Sequence, residues 1–177
     1  MRTEALNNKY VYGAPIQGGR LVLDLADMHQ KCTQSYVRRP YGVGLLVASY
    51  DQTGAHLYTT EPSGNYFEYV AMALGSRSQT SRTYLEKEFQ SFADAPLDEL
   101  IKHALKALAA SLAGDTELDA TTATVGVVGE GHPYQALEGE ALQPYLDAIE
   151  LEQTRGAPAA GAAVVDDDDM ILETPDV

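Results

Sequence analysis

The chain has 177 residues, a formal net charge of −14 and 45% hydrophobic residues, enough for one domain with a core. No apolar run approaches the roughly 20 residues of a membrane-spanning helix, and no basic region followed by an apolar one predicts secretion. The negative charge disfavours nucleic acid as a partner. Cys32 is the only cysteine, which excludes an internal disulfide framework. We therefore expect an intracellular protein that binds neither membranes nor nucleic acid.

The first half of the chain has the pattern of two helices followed by three strands. Apolar residues from Leu21 to Cys32 recur at helical spacing, and a later near-continuous apolar run indicates a strand covered on both faces. Asp51-Gln52-Thr53-Gly54 has the composition of a hairpin turn. The predicted helices span residues 1–10 and 17–36, and the predicted strands span residues 41–50, 55–60 and 66–74.

The second half is predicted to contain two helices, a strand pair and a final helix. Ser76 and Gln79 fit a capping box for a helix ending near residue 92, and Pro96 opens the most strongly periodic helix, which Gly114 ends. Strands are predicted at 122–128 and 134–137, and a helix at 141–151. The sequence thus predicts an α+β domain over residues 1–152, with helices layered on antiparallel sheets. Residues 153–177 form an acidic tail that we expect to be disordered.

No set of residues predicts a catalytic, cofactor-binding or metal site. Ser76 and Ser78 lack the Gly-x-Ser-x-Gly pattern of a nucleophile elbow. A catalytic threonine that uses its own amine as base must be the first residue of the mature chain, whereas Thr3 follows Met1-Arg2. The histidines stand at no metal-ligand spacing; they are His29, His56, His103 and His132.

The acidic tail contains a run of four aspartates, Asp166–Asp169. Calcium loops need alternating oxygen ligands, a glycine turn and a closing glutamate, none of which a simple aspartate run supplies. A solvated tail is therefore the expected state. The apolar Met170-Ile171-Leu172 beside the run leaves open a role in docking a partner.

Several motifs at the corners of the predicted elements share one resemblance. Their residues and order resemble the α-type subunits of the 20S proteasome, and most closely the α6 (alpha type-1) group. The similarity covers about residues 7–152, and the arginine pair before the first strand, together with the acidic tail, favours α6. The motifs are Arg38-Arg39-Pro40-Tyr41-Gly42-Val43-Gly44, Pro62-Ser63-Gly64-Asn65-Tyr66 and Gly75-Ser76-Arg77-Ser78-Gln79.

This resemblance implies the N-terminal-nucleophile hydrolase fold, an αββα sandwich of two antiparallel sheets between helix layers. We expect that sandwich to be incomplete at the N-terminus, because the family pattern for the gating tail, the first helix and the opening strands is missing. Residues 1–152 would then be a partial sandwich domain. The first predicted helix would correspond to one that contacts the β-ring, which makes Asn7, Asn8 and Tyr10 candidate interface residues.

The resemblance also implies a function without catalysis. The chain would be a non-catalytic structural subunit of the α-ring, scaffolding the β-rings in ATP- and ubiquitin-dependent protein degradation, in the cytoplasm and nucleus. Its partners would be the other proteasome α- and β-subunits and, through the assembled ring, regulatory particles. Two alternatives stay open: an independent threonine-type hydrolase of the same fold, and a truncated decoy isoform that binds assembly factors.

Overall fold

The computed structural model describes residues 1–112 and 118–156, with side chains described as far as residue 151. Five α-helices and five strands lie within these residues, in the predicted order, together with two short 3-10 helices (Phe89–Ser91 and Gly139–Ala141). The helices are α1 (Arg2–Tyr12), α2 (Gly18–Thr33), α3 (Ser78–Glu88), α4 (Leu97–Ala109) and α5 (Gln143–Gly156); the strands are β1 (Leu45–Asp51), β2 (Gly54–Thr60), β3 (Tyr66–Tyr69), β4 (Thr124–Gly129) and β5 (His132–Glu138).

The α+β class with antiparallel sheets is confirmed at this level. The described part of the chain holds a three-stranded sheet of order β1-β2-β3 and a two-stranded sheet of β4 and β5. Within that part, no helix combines the length and the apolar composition needed to cross a bilayer. The prediction that the fourth helix continues to Gly114 is wrong, because α4 ends at Ala109 and Ala110 is its C-cap residue. The tail from residue 157 onward lies outside the described residues, so the disorder expected there stays a prediction.

Helix α2 covers one face of the three-stranded sheet. Its buried residues recur at helical spacing; they are Gly18, Val22, Ala26, His29 and Cys32. The two elements approach so closely that a Cβ on Gly18 would collide with the Ser49 Oγ. The absence of a side chain on Gly18 therefore allows the helix to start directly above β1.

A second core joins the two-stranded sheet to α4 and α5. It is formed by Ile101, Leu105, Ala123, Leu142, Leu146 and Ile149, all buried. Helix α3 is fixed to α4 at a buried point, where the Ser81 hydroxyl donates a hydrogen bond of 2.5 Å to the Ala107 carbonyl. Strand β1 contacts β4, so the two sheets are neighbours.

The other face of the three-stranded sheet is open. Leu46 and Leu57 lie on it and face α3 and α4 across a largely apolar cavity of about 380 Å³. Alternate residues of β1 are exposed, with Leu46 at 44%. The prediction that this strand is covered on both faces is therefore wrong for the described residues.

Several predicted elements, including β1, β3 and α2, are shorter in the structure. β1 begins at Leu45 rather than at residue 41, because Leu45 pairs with Thr60, the last residue of β2. The chain then turns through Glu61, whose N–H donates to the Asn65 carbonyl, so residues 41–44 have no partner in β2. β3 ends at Tyr69 rather than at residue 74, where the chain leaves the sheet toward α3, and α2 ends at Thr33 rather than at residue 36.

Helix boundaries also differ from those predicted. The capping box is wrong: α3 begins at Ser78, its N-cap residue is Arg77 at φ 54°, and no side chain caps it. Pro96 is the N-cap residue of α4 rather than a member of its first turn. α5 ends at Gly156, five residues beyond the predicted end.

Candidate assembly interface

Helix α1 is the least packed element of the described chain. It ends at a left-handed Gly13 (φ 69°), whose N–H donates to the Lys9 carbonyl, the expected geometry for a glycine after a helix. None of its residues is buried, whereas α2 buries five. Because packing of an apolar face supplies most helix stability in proteins, an unpacked helix with apolar residues is a candidate contact surface.

The residues of α1 divide between two faces. At 100° per residue, Leu6, Asn7, Tyr10 and Val11 fall on one side of the helix, and all four are exposed. Glu4, Ala5 and Asn8 are half-buried; Ala5 and Asn8 lie away from this side, whereas Glu4 lies beside Val11 at its border. Of the three predicted interface residues, the structure thus places Asn7 and Tyr10 together on one exposed side, whereas Asn8 is half-buried.

We name the exposed face formed by Leu6, Asn7, Tyr10 and Val11 the outer face of α1. Its apolar members are largely exposed, with Leu6 at 70%, Tyr10 at 88% and Val11 at 66%. Tyrosine is enriched in the cores of protein interfaces, because it combines apolar area with a polar tip. The chemistry of this face fits a protein partner.

A polar cluster at the end of the β1–β2 hairpin was missed by sequence reasoning. His56 lies between two carboxylates: its Nδ1 is 2.5 Å from the Glu68 Oε1, and its Nε2 is 3.3 Å from the Asp51 Oδ1. The Thr53 Oγ1 is 2.7 Å from His56 Nε2 and donates to Asp51 at 2.5 Å. The hairpin register carries the signal for this cluster, because Asp51 pairs with Gly54 and His56 follows two residues later.

The hydroxyl, imidazole and carboxylate of this cluster are also the groups of a hydrolytic triad, but the single hydrogen of the Thr53 hydroxyl is donated to Asp51 rather than to the imidazole. The hydrogen bond to Glu68 raises the pKa of His56. The hydrogen bonds from Thr53 lower the pKa of Asp51. The contacts of the cluster connect β1, β2 and β3.

Two other histidines have structural contacts. His29 is buried, its Nδ1 lies 3.1 Å from the Glu61 carbonyl oxygen, and its ring packs on Tyr41. The His103 Nδ1 is 2.8 Å from the Tyr84 hydroxyl. Among residues 1–112 and 118–156, no group of three His, Cys, Asp or Glu residues is arranged to hold a metal ion.

Comparison with known proteins identifies the family. The proteasome subunit family model matches residues 1–128. Proteasome subunit alpha type-1 of Dictyostelium discoideum is 49% identical over 154 residues, 86% of this chain and 62% of the relative. The alpha type-1 subunit of Trypanosoma brucei rhodesiense is 40% identical over the whole chain and 66% of its own length. That of Drosophila melanogaster is 40% identical over 89% of the chain and 57% of its own length.

The chain thus spans a little under two thirds of the length of these relatives. The family match covers well over half of this chain and includes the outer face of α1 and the whole three-stranded sheet. The three compared relatives are all alpha type-1 subunits. The chain belongs to the proteasome subunit family and is similar, within it, to the alpha type-1 subunits.

Proposed function

We propose that this chain is a non-catalytic structural subunit of the α-ring of the 20S proteasome. The observation that carries the proposal is the similarity to alpha type-1 subunits along most of the chain. The structure adds an outer face of α1 with three exposed apolar residues. A subunit that works by contacting its neighbours needs such a surface.

The proposal includes the wider role of such a ring. The partners are the other α- and β-subunits and, through the assembled ring, regulatory particles. The process is ATP- and ubiquitin-dependent protein degradation, and the compartments are the cytoplasm and the nucleus. The scaffolding role requires no cofactor.

Assembly is tested with the tagged 177-residue chain expressed in cells. We expect native gels to place it in a high-mass complex in which mass spectrometry identifies proteasome α- and β-subunits. Leu6→Asp/Tyr10→Asp should reduce that incorporation at least about fivefold, because two charges would be buried at the contact. Leu97→Asp/Tyr134→Asp, on exposed positions of α4 and β5, is the matched control and should be incorporated normally.

Two outcomes would overturn this function. A chain found only as a monomer, or only with assembly factors outside the ring, would favour the decoy isoform. Peptide hydrolysis by the purified chain that disappears on substitution of a single threonine would favour the independent hydrolase.

We also propose the finer fold, an αββα sandwich. Its support is the open sheet face carrying Leu46 and Leu57, opposite α3 and α4 across a cavity of about 380 Å³. A second layer of strands packed on this face would bury apolar surface, which is the main driving force for such packing.

Cysteine labelling tests the sandwich. Maleimide should label the thiol introduced by Leu46→Cys rapidly in the isolated chain and slowly in the assembled complex. The natural Cys32 is buried and serves as the internal control, because it should react slowly in both states. Equal labelling of the introduced thiol in the two states would contradict the sandwich.

A further inference from the structure

The segment between α2 and β1 exposes apolar and basic side chains together. Tyr36 is fully exposed, Val37 is 81% exposed, and both arginines that follow are exposed. We call residues 36–39 the arginine segment. An exposed tyrosine and valine beside two cations mark a surface suited to an acidic partner with apolar residues.

Local hydrogen bonds give the arginine segment a defined shape. The Ser35 Oγ accepts a hydrogen bond of 3.3 Å from the Val37 N–H. The Arg39 Nη1 donates to the carbonyl of Pro40 at 3.3 Å. These bonds are local to the segment and leave the side chains of Tyr36 and Val37 toward solvent. The segment therefore has local order before any partner binds.

The charge pattern of the whole sequence points to one occupant. In a chain of net charge −14, Arg38-Arg39 is the only pair of adjacent basic residues, and Asp166–Asp169 is the longest run of acidic ones. The order of residue types along the two segments is also complementary. The arginine segment has its apolar residues before its arginines, whereas residues 166–172 have their aspartates before the apolar Met170-Ile171-Leu172. If the two segments bound in antiparallel directions, the aspartates would face the arginines and the two apolar parts would face each other.

We propose that the arginine segment is the docking site of the chain's own residues 166–172. The stretch from Gly156, where α5 ends, to Asp166 reaches about 35 Å when extended. That length is comparable to the diameter of a domain whose radius of gyration is roughly 15 Å, so the segment could reach a large part of the domain surface. Exposed ion pairs are individually weak, but a tethered segment has an effective concentration in the millimolar range. Docking would cover Tyr36 and Val37, and release would expose them.

The test places a photocrosslinker at the proposed contact. Tyr36→p-benzoylphenylalanine is introduced into the full chain, which is irradiated in whatever assembly it purifies in. Benzophenone reacts well with methionine, and trypsin releases the tail from Gly156 to Val177 as one peptide because no Lys or Arg follows Arg155. We expect a crosslink between that peptide and the peptide containing position 36. In a mixture of ¹⁴N- and ¹⁵N-labelled chains, we expect both crosslinked peptides to carry the same label, because the crosslink forms within one chain.

Matched variants test the charge pattern. Arg38→Glu/Arg39→Glu should lower the crosslink yield at least about fivefold, as should replacing Asp166–Asp169 by asparagine or raising the salt to about 0.5 M. Arg2→Glu/Lys9→Glu, which makes the same charge change on α1, should leave the yield unchanged. No tail crosslink, a crosslink only between chains, or one insensitive to both charge variants would overturn the proposal. The assembly experiment tests the outer face of α1, whereas the crosslinking experiment tests the arginine segment. The proposed function and the docking of residues 166–172 can therefore fail separately.

Discussion

His56 shows how strand register gathers charges that are far apart in the sequence. Its ring bridges Asp51 on β1 and Glu68 on β3, and it stacks on Tyr58 of the same strand. The contact with Glu68 raises the pKa of His56 above its ordinary value of 6.5. The hydrogen bonds from Thr53 lower the pKa of Asp51 below 3.8.

The pH dependence of stability follows from these two directions. Because the folded-state pKa of His56 is raised, its contribution is fully present below about pH 6.5 and is lost as the pH rises through the folded value. The Asp51 contribution is present above about pH 4 and is lost as the pH falls through its lowered value. We therefore expect the cluster to stabilise the three-stranded sheet most between about pH 4 and about pH 6.5.

An NMR titration of the His56 ring checks this expectation. Glu68→Gln should lower the measured pKa of His56 and narrow the pH range over which the cluster stabilises the sheet, because the charged partner of Nδ1 is lost. Glu130→Gln, an exposed position in the β4–β5 turn, is the control and should leave the titration unchanged. A His56 pKa that does not respond to Glu68→Gln would contradict the cluster.

A second residue-scale prediction concerns the start of α2. A Cβ at position 18 would collide with the Ser49 Oγ, so Gly18→Ala forces the helix and β1 apart. We expect urea unfolding to give a loss of about 1–3 kcal/mol, the usual cost of overpacking. Gly42→Ala, where nothing lies within 4 Å, should change stability by less than about 0.5 kcal/mol.

The Gly18 clash can be confirmed with a double-mutant cycle. Ser49→Gly removes the atoms that the new methyl group would meet. The effect of Gly18→Ala should therefore be smaller in the Ser49→Gly background than in the natural chain. Strictly additive losses would show that the two positions do not contact each other.

At the scale of elements, one buried hydrogen bond holds α3 against α4. Ser81→Ala leaves the Ala107 carbonyl without its partner hydroxyl, and the net loss should be about 1 kcal/mol in urea unfolding. Thr83→Ala removes an exposed bond to the Gln79 carbonyl of its own helix and should cost less than about 0.5 kcal/mol. Equal losses in the two variants would mean that burial of the Ser81 bond has no effect.

At the scale of the whole molecule, the open sheet face and the apolar cavity leave much hydrophobic surface uncovered. We expect the isolated chain to bind a hydrophobic dye and to self-associate with increasing concentration, despite its charge of −14. Leu46→Lys on β1 should reduce both signals at least about twofold in fluorescence and analytical ultracentrifugation. Leu97→Lys, at an exposed position of α4, should not. If the unsubstituted chain stayed monomeric and bound no dye, the result would contradict the presence of an uncovered apolar sheet face.

Local sequence patterns predicted the order of the elements and the antiparallel sheets, and short motifs carried the family resemblance. Helical periodicity and turn composition are local properties, so α1, α4 and the β1–β2 hairpin could be predicted from neighbouring residues alone. The resemblance also named Asn7, Asn8 and Tyr10 as interface candidates on the first helix, and their role in an interface stays a prediction.

Local patterns did not predict which faces of the elements are covered. Whether β1 has one neighbour layer or two depends on elements distant in the sequence, so its apolar run did not predict the open face carrying Leu46. The start of β1 depended on where β2 ends, and the His56 cluster required the register of three strands. These features arise from contacts between distant residues, which a local pattern does not contain.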